Sequence, residues 1–404
     1  MACSFIEAGS AWPHATGTTT TSRNFRDVRL DFFRGLSLFI ILVSHTRGDL
    51  LVNWIPARFG LSDAADMFVF VSGYAGGIAF GGVYRQRGWV LGTARIGLRI
   101  WQLYVAQLCI VIAVGTLAIS ADKLLGATGD HVAFLSLDYL FSKPREALFG
   151  IVTLTYVPPY LDILPLYIVV LAMVPVAVAL ARSHPYLVPI ASVTLWAAAH
   201  WFGWNLPTEP SEPIGWFFDP FCWQILFFSG FSLNMHWIRP PPPSRLLLWA
   251  AVGWLAFGVA VTVPAIFETI PGLGSVQAWI SGQADKTMLG PLRYMHFLAS
   301  AYVVIVLLRG RLHLIERRWA RPLIKCGQQA LAVFLAGILL ADIGGIAFDH
   351  LGTNLAAQLA VNTGCFAATF AGAYSAAWVK SAPWKQPAPV PLPNMAGTLQ
   401  LPAD

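Results

Sequence analysis

Residues 30–45 read LDFFRGLSLFIILVSH. From Leu36 to Val43 the only polar residue is Ser37, yet the run carries Asp31 and Arg34 near its start and His45 at its end. A membrane span needs about 20 mainly apolar residues to cross about 30 Å of hydrocarbon, and with its flanks (29–50) this segment meets that length. Arg34 and His45 are eleven positions apart, about 16 Å along a helix. Eleven steps of about 100° close about three turns, so both side chains leave the same face, and Asp31 joins them. Charge inside hydrocarbon is costly unless it faces protein or water, so this face is expected to line a polar cavity. A blander reading also stands: Asp31 pairs with Arg34 while Arg34 snorkels to the interface, and His45 is a hydrogen-bonded core residue. Against it, imidazole is the usual general base near neutral pH, and His45 is followed by Thr46, Arg47 and Asp49.

Composition extends this reading to the whole chain. Of 404 residues, 56% are hydrophobic and only 11% charged, where a soluble domain has about 25% charged; mean hydropathy is +0.62. The 16 Trp and 26 Phe suit membrane interfaces and contacts between spans. The net charge of +6 sits mostly in loops between apolar runs, where it sets topology, so no nucleic-acid partner is expected. Cys3, Cys109, Cys222, Cys326 and Cys365 are scattered without metal-ligand spacing and read as packing residues, so no metal is expected. The polar, Thr- and Ser-rich N-terminus has no cleavable apolar segment, which leaves the first span as the insertion signal.

Ten apolar segments meet or approach the length of a span: 29–50, 64–84, 96–120, 160–181, 186–202, 222–238, 246–267, 291–309, 326–347 and 354–379. A polar loop, 121–146, follows the third, and the apolar stretch 147–157 suits the interface. With the N-terminus in the cytoplasm, 19 of the 26 Lys and Arg fall on cytoplasmic ends and loops and 7 outside. This bias predicts an all-α, polytopic integral membrane protein with about ten transmembrane helices and both termini cytoplasmic. PPPP at 240–243 is a stiff connector, and the loop 203–221, with Glu209, Glu212 and Asp219, reads as outward. No internal repeat is visible, unlike many secondary transporters.

The second span opens SDAADMFVFVSGYAGG, residues 62–77. Asp63 and Asp66 stand at about the depth of His45, so either would orient its imidazole; Ser62 and Asp63 are equally good helix caps. Ser72, Gly73 and Tyr74 offer hydroxyls beside a glycine that admits a neighbour or ligand to the backbone.

These residues resemble a known family. An Arg followed at eleven residues by a His, in a span beginning LDFFRG, is similar to the membrane-bound acyltransferase-three superfamily. RDVRLDFFRGL (26–36), FGLSDAADMFVFVSGY (59–74), YLDILPLY (160–167), DPFCWQILFFSG (219–230), DKTMLGPLRYMHFLA (285–299) and CGQQALAVF (326–334) narrow the resemblance to its OpgC-type branch, the glucan succinyltransferases. The resemblance implies a transmembrane acyltransferase domain at 26–380, and composition adds a disordered N-terminus at 1–25 and a Pro-rich, disordered cytoplasmic tail at 381–404. It implies a protein of the bacterial inner membrane that moves an acyl group, most simply succinyl, from cytoplasmic acyl-CoA to hydroxyls of a periplasmic glucan. Acyl-CoA is then a co-substrate, and no permanently bound cofactor is expected. The implied donor end has Arg34 on the CoA phosphates, with Asp31, Arg26, Arg29, Arg95, Arg99, Ser72 and Tyr74 around it. His45, with Asp63 or Asp66, deprotonates the acceptor hydroxyl or carries the acyl group.

The acceptor side is expected outward, where aromatic rings stack on sugars. Tyr156, Tyr160, Trp201, Trp204, Trp216 and Trp223 gather at outer mouths, although interfacial anchoring explains a Trp as well. Asp162, Tyr167, Gln224 and His296 are polar groups at outer depths, and Lys286 and Arg293 would attract a succinyl carboxylate. The competing reading is a transporter or flippase for a small anion or glycan, which would use the same charges as a permeation path. The oligomeric state, homo-oligomer included, is left open.

Overall fold

The computed structural model of the chain describes residues 27–126, 130–208 and 215–384, and these are helical and irregular with no strand. The expected disordered N-terminus, Arg26, Glu209, Glu212 and the tail from 385 onward lie outside the described residues.

Helix α1 spans Val28–His45. Asp27 starts it by accepting the backbone N–H of Arg29 at 3.0 Å, filling one donor that a first turn leaves open. Its 18 residues make a rod about 27 Å long. The helix stops short of residue 50 because Thr46 turns extended, its hydroxyl taking the Leu42 carbonyl at 2.8 Å. Gly48 then enters the left-handed region at φ +81°, a conformation that costs glycine little. His45 is therefore the last helical residue rather than a mid-span one.

Helix α2 (Ala64–Gly76) passes through a π-helical turn at Gly77–Gly81 into α3 (Gly82–Lys123). Gly88, at φ 80°, breaks α3 near its start. The Tyr84 and Thr93 hydroxyls lie 3.2 Å apart across the break. In a straight helix nine residues would separate them by about 13 Å, so the chain folds back at Gly88. The second and third segments are thus joined by a helical reversal instead of an irregular loop. The segment between α3 and the next long helix carries three short helices, α4 (His131–Phe134), α5 (Asp138–Ser142) and α6 (Pro144–Thr153). Then come α7 (Ile163–Ser183), α8 (Leu187–Phe202), α9 (Pro220–Asn234), α10 (Arg245–Thr262), α11 (Pro264–Phe267), α12 (Leu273–Gln283) and α13 (Pro291–Leu308). A short amphipathic α14 (Arg321–Gln328) precedes α15 (Ala330–Leu351) and α16 (Leu355–Lys380). The ninth segment therefore begins at Ala330, four residues after its sequence-based start at 326.

Each of the ten apolar segments is helical over most of its length. Five helical runs are both long and apolar enough to cross a membrane: Ala64–Lys123, Ile163–Ser183, Arg245–Thr262, Pro291–Leu308 and Ala330–Leu351. At 15 residues, α9 reaches only about 22 Å.

Helix α1 packs against α2, α14 and α15. Small residues make the closest crossings. A Cβ on Gly327 would meet the Asp31 backbone, one on Gly35 the Leu323 backbone, one on Gly73 the Phe227 backbone, and one on Gly230 the Phe70 backbone. Because lipid is as apolar as the helices, association relies on such close packing. Around α9 the interior is dense, with Trp223, Leu226, Phe227 and Phe231 fully buried.

Candidate active site

His45 occupies the C-terminal end of α1, and its ring is anchored by the turn before it. Nδ1 lies 2.8 Å from the Ile41 carbonyl and 2.9 Å from the Ser44 hydroxyl. A carbonyl only accepts, so Nδ1 carries the proton and donates it to Ile41. In the neutral ring this leaves the lone pair on Nε2, the state a general base requires. Among the described residues nothing hydrogen-bonds Nε2.

The imidazole lines two cavities. The outer one, beyond the end of α1 and with room for about one water molecule, is bounded by His45, Arg47, His131, Phe134, Tyr160 and Asp342, among others. The inner one, equally small, is apolar; Leu38, Ile41 and Leu42 line it from α1, with Phe334, Gly337 and Ile338 from α15. The two cavities thus share one imidazole, the inner with an apolar lining and the outer with charged groups among its lining residues. Tyr160 and His45 meet edge to face, ring centroids 5.0 Å apart, and Tyr160 stacks on Phe134 at 5.5 Å. It sits at φ 69°, a left-handed conformation that a bulky residue adopts only when its surroundings force it.

Neither Asp63 nor Asp66 orients His45, and this corrects the sequence reading. Asp66, fully buried, takes two hydrogen bonds from Arg293 at 3.0 and 2.6 Å. Asp63 holds Lys286 at 2.8 Å and Arg293 at 3.0 Å. The two carboxylates also form the capping box of α2: Asp63 accepts from Ala65 N–H and Asp66 from Asp63 N–H, each at 2.8 Å. The capping alternative is therefore the one the structure adopts. Arg293, on α13, and Lys286, in the loop before it, are thus paired with the carboxylates at the start of α2. His45 still lies within the electrostatic reach of Asp63 and Lys286.

Several expected acceptor residues are interior supports. Trp223 is fully buried, and its Nε1–H donates to the Lys286 carbonyl at 2.9 Å, so it stacks on no sugar. Trp216 is buried as well, donating to the Pro207 carbonyl at 2.9 Å. Gln224 exchanges hydrogen bonds with Ser192, receiving from its hydroxyl at 2.6 Å and donating to its carbonyl at 2.8 Å, which ties α8 to α9. The Tyr156 hydroxyl is turned to the Ser136 carbonyl at 3.3 Å. His296 bonds Ser62 at 2.8 Å and packs between Gly60 and Gly258. Asp162 is buried at the start of α7, within the field of Lys286. Trp201 and Trp204 are exposed. Of the acceptor set, Tyr160 alone lines the outer cavity.

At the opposite end of α1, Arg34 donates to the Val71 carbonyl at 3.4 Å. Its charge and that of Arg99 both reach Tyr167, so these three residues share a neighbourhood, which moves Tyr167 from the acceptor side to the Arg34 side. Arg29 is engaged locally by Asp27 at 2.9 and 2.7 Å, within reach of Tyr74. Arg95 is exposed, Asp31 is buried where α14 crosses α1, and Ser72 is buried in α2.

A family model described as OpgC protein matches residues 26–381. The chain belongs to the OpgC family. Membership makes it a glucan-modifying membrane protein of acyltransferase type. No match is found among curated proteins, and none among solved structures.

Three residues of the candidate site are not singled out by the sequence. Arg47 was counted only as an outer-loop charge. His131 lay in a polar loop, where nothing announces a buried imidazole; here it is 1% exposed and bridges Asp342 at 3.2 Å and Asp349 at 2.9 Å. Asp342 did leave a signal, since a carboxylate inside the apolar run of α15 is costly unless it faces protein or a cavity. It lines the outer cavity with His45.

Proposed function

We propose that this chain is an inner-membrane O-acyltransferase that moves a succinyl group from cytoplasmic succinyl-CoA to a hydroxyl of a periplasmic glucan. Ten spans with both termini cytoplasmic accommodate the 19-to-7 split of its basic residues. The observation that carries the reading is His45: a ring fixed through Nδ1, with its base nitrogen uncommitted, at the junction of an apolar and a polar cavity. The apolar side chains of α1 and α15 on the Arg34 side of His45 suit the approach of the pantetheine arm, and the polar groups beyond His45 suit the acceptor. Arg34, on the same helix about 16 Å below, suits the CoA phosphates, because a guanidinium matches phosphate oxygens in a fixed fork. Arg99 shares its neighbourhood.

The step balances as follows. Nε2 of His45 removes the proton from a sugar hydroxyl, and the oxygen attacks the thioester carbonyl. The tetrahedral centre collapses, the C–S bond breaks, and the CoA thiolate leaves and takes a proton. The same base position serves a transient acyl-imidazole equally well. His45→Ala in proteoliposomes, given labelled succinyl-CoA and glucan, is expected to lose at least about a hundredfold in transfer, the low end for a general base. Normal transfer by a correctly inserted variant refutes the mechanism. Labelled solute crossing intact, with none on glucan, would instead support a transporter.

A further inference from the structure

The outer cavity is lined by one guanidinium, that of Arg47. Arg47 lies two residues beyond His45, and its Nη1 is buried without a hydrogen-bond partner among the described residues. Its guanidinium stands over the Phe134 ring, 5.8 Å from the centroid. Phe134 stacks on Tyr160, and Tyr160 meets His45 edge-on, so Arg47 and His45 close the same ring of side chains. From α15, Gly345 gives the Arg47 backbone and Cβ room: a Cβ there would lie 3.3 Å from the Arg47 Cβ and 3.6 Å from the His131 ring.

Of the neighbouring groups, Asp342 keeps one carboxylate oxygen, Oδ2, without a hydrogen-bond partner among the described residues. His131 is gripped by Asp342 and Asp349, while Lys286 and Arg293 are held by Asp63 and Asp66. A buried guanidinium donor left unpaired is expensive, and an acyl group ending in methyl would leave it so. A carboxylate would satisfy it in the geometry that arginine favours.

We propose that Arg47 is the specificity residue for a dicarboxylic acyl donor: its guanidinium receives the free carboxylate of the acyl chain while the thioester carbonyl rests at His45. The assignment rests on the acyltransferase reading above. The reach is suitable. The α-carbons of residues two apart lie within about 7 Å, and the two carbonyl carbons of a four-carbon dicarboxylic chain are about 4 Å apart. The donor arm approaches along the apolar side chains of α1 and α15, passes its thioester to His45, and leaves only the acyl tail to project toward Arg47. This moves carboxylate recognition from Lys286 and Arg293 to a residue two positions from the base.

The test is a donor swap with the full-length protein in proteoliposomes, using succinyl-CoA and butyryl-CoA, which matches it in chain length but lacks the carboxylate. Wild type is expected to favour succinyl. Arg47→Gln is expected to lower the succinyl-over-butyryl ratio of kcat/KM by at least about tenfold, the size of one lost charge-assisted hydrogen bond. Arg47→Lys, which keeps the charge without the fork, is expected to retain part of the preference, and it supplies the comparison if the Gln variant does not fold. A ratio unchanged in the variants, an equal loss with both donors, or a wild type without preference overturns the Arg47 assignment and leaves the acyltransferase reading standing. If wild type acylates glucan from neither donor, both fall.

Discussion

Arg293→Met probes the place where sequence and structure diverge most. Arg293 gives two hydrogen bonds to Asp66, at 3.0 and 2.6 Å, and lies 3.0 Å from Asp63. Asp66 is fully buried, and its other polar contact is the Asp63 backbone N–H. Methionine preserves much of the volume but leaves that carboxylate without its cation. Removing one partner of a buried pair costs about 3–5 kcal/mol, which at about 1.4 kcal/mol per decade is about two to four orders of magnitude in the folding equilibrium. Lys286 still covers Asp63 at 2.8 Å, so the lower half of that range is expected. In Arg293→Met/Asp66→Leu both charges are gone, and replacing a whole buried pair by apolar groups is often neutral. Most of the loss should therefore be recovered. Denaturant unfolding in detergent micelles, followed through the 16 Trp, measures both variants. Equal destabilisation of single and double variants, or a single variant as stable as wild type, would refute the ion-pair argument. A stable Arg293→Met protein that no longer transfers acyl groups would return Arg293 to the substrate.

Three further expectations can be measured directly. Gly73→Ala places a methyl group against the Phe227 backbone and should lower stability by about 1–3 kcal/mol, the range for overpacking, visible as an earlier thermal transition. Trp223→Phe removes the Nε1 donor to Lys286 and should cost about 1 kcal/mol of stability with no change in the KM for glucan; a raised KM would restore Trp223 to the sugar site. For topology, a single cysteine at Leu125 is expected to react with an impermeant maleimide from outside intact cells, and one at Leu312 only after lysis. The reverse pattern would invert the orientation.

What the sequence determined by itself was local or compositional. Apolar length located the helical segments, since helix formation in lipid needs only backbone bonds within the segment. The spacing of Arg34 and His45 followed from helix geometry alone, because both lie on the continuous α1. The capping role of Asp63 was also legible, being a contact between residues two and three apart. The tertiary structure decided which charges meet. Asp66 finds Arg293 across 227 positions and His131 finds Asp342 across 211, and no periodicity encodes such pairings. Depth alone made Asp63 and Asp66 look like partners of His45. Packing sent them to Arg293 and Lys286, because buried carboxylates are stable only beside cations that reach them. The same packing left Arg47 beside His45 with a donor unspent, which only the closed ring of Phe134, Tyr160 and α15 makes visible.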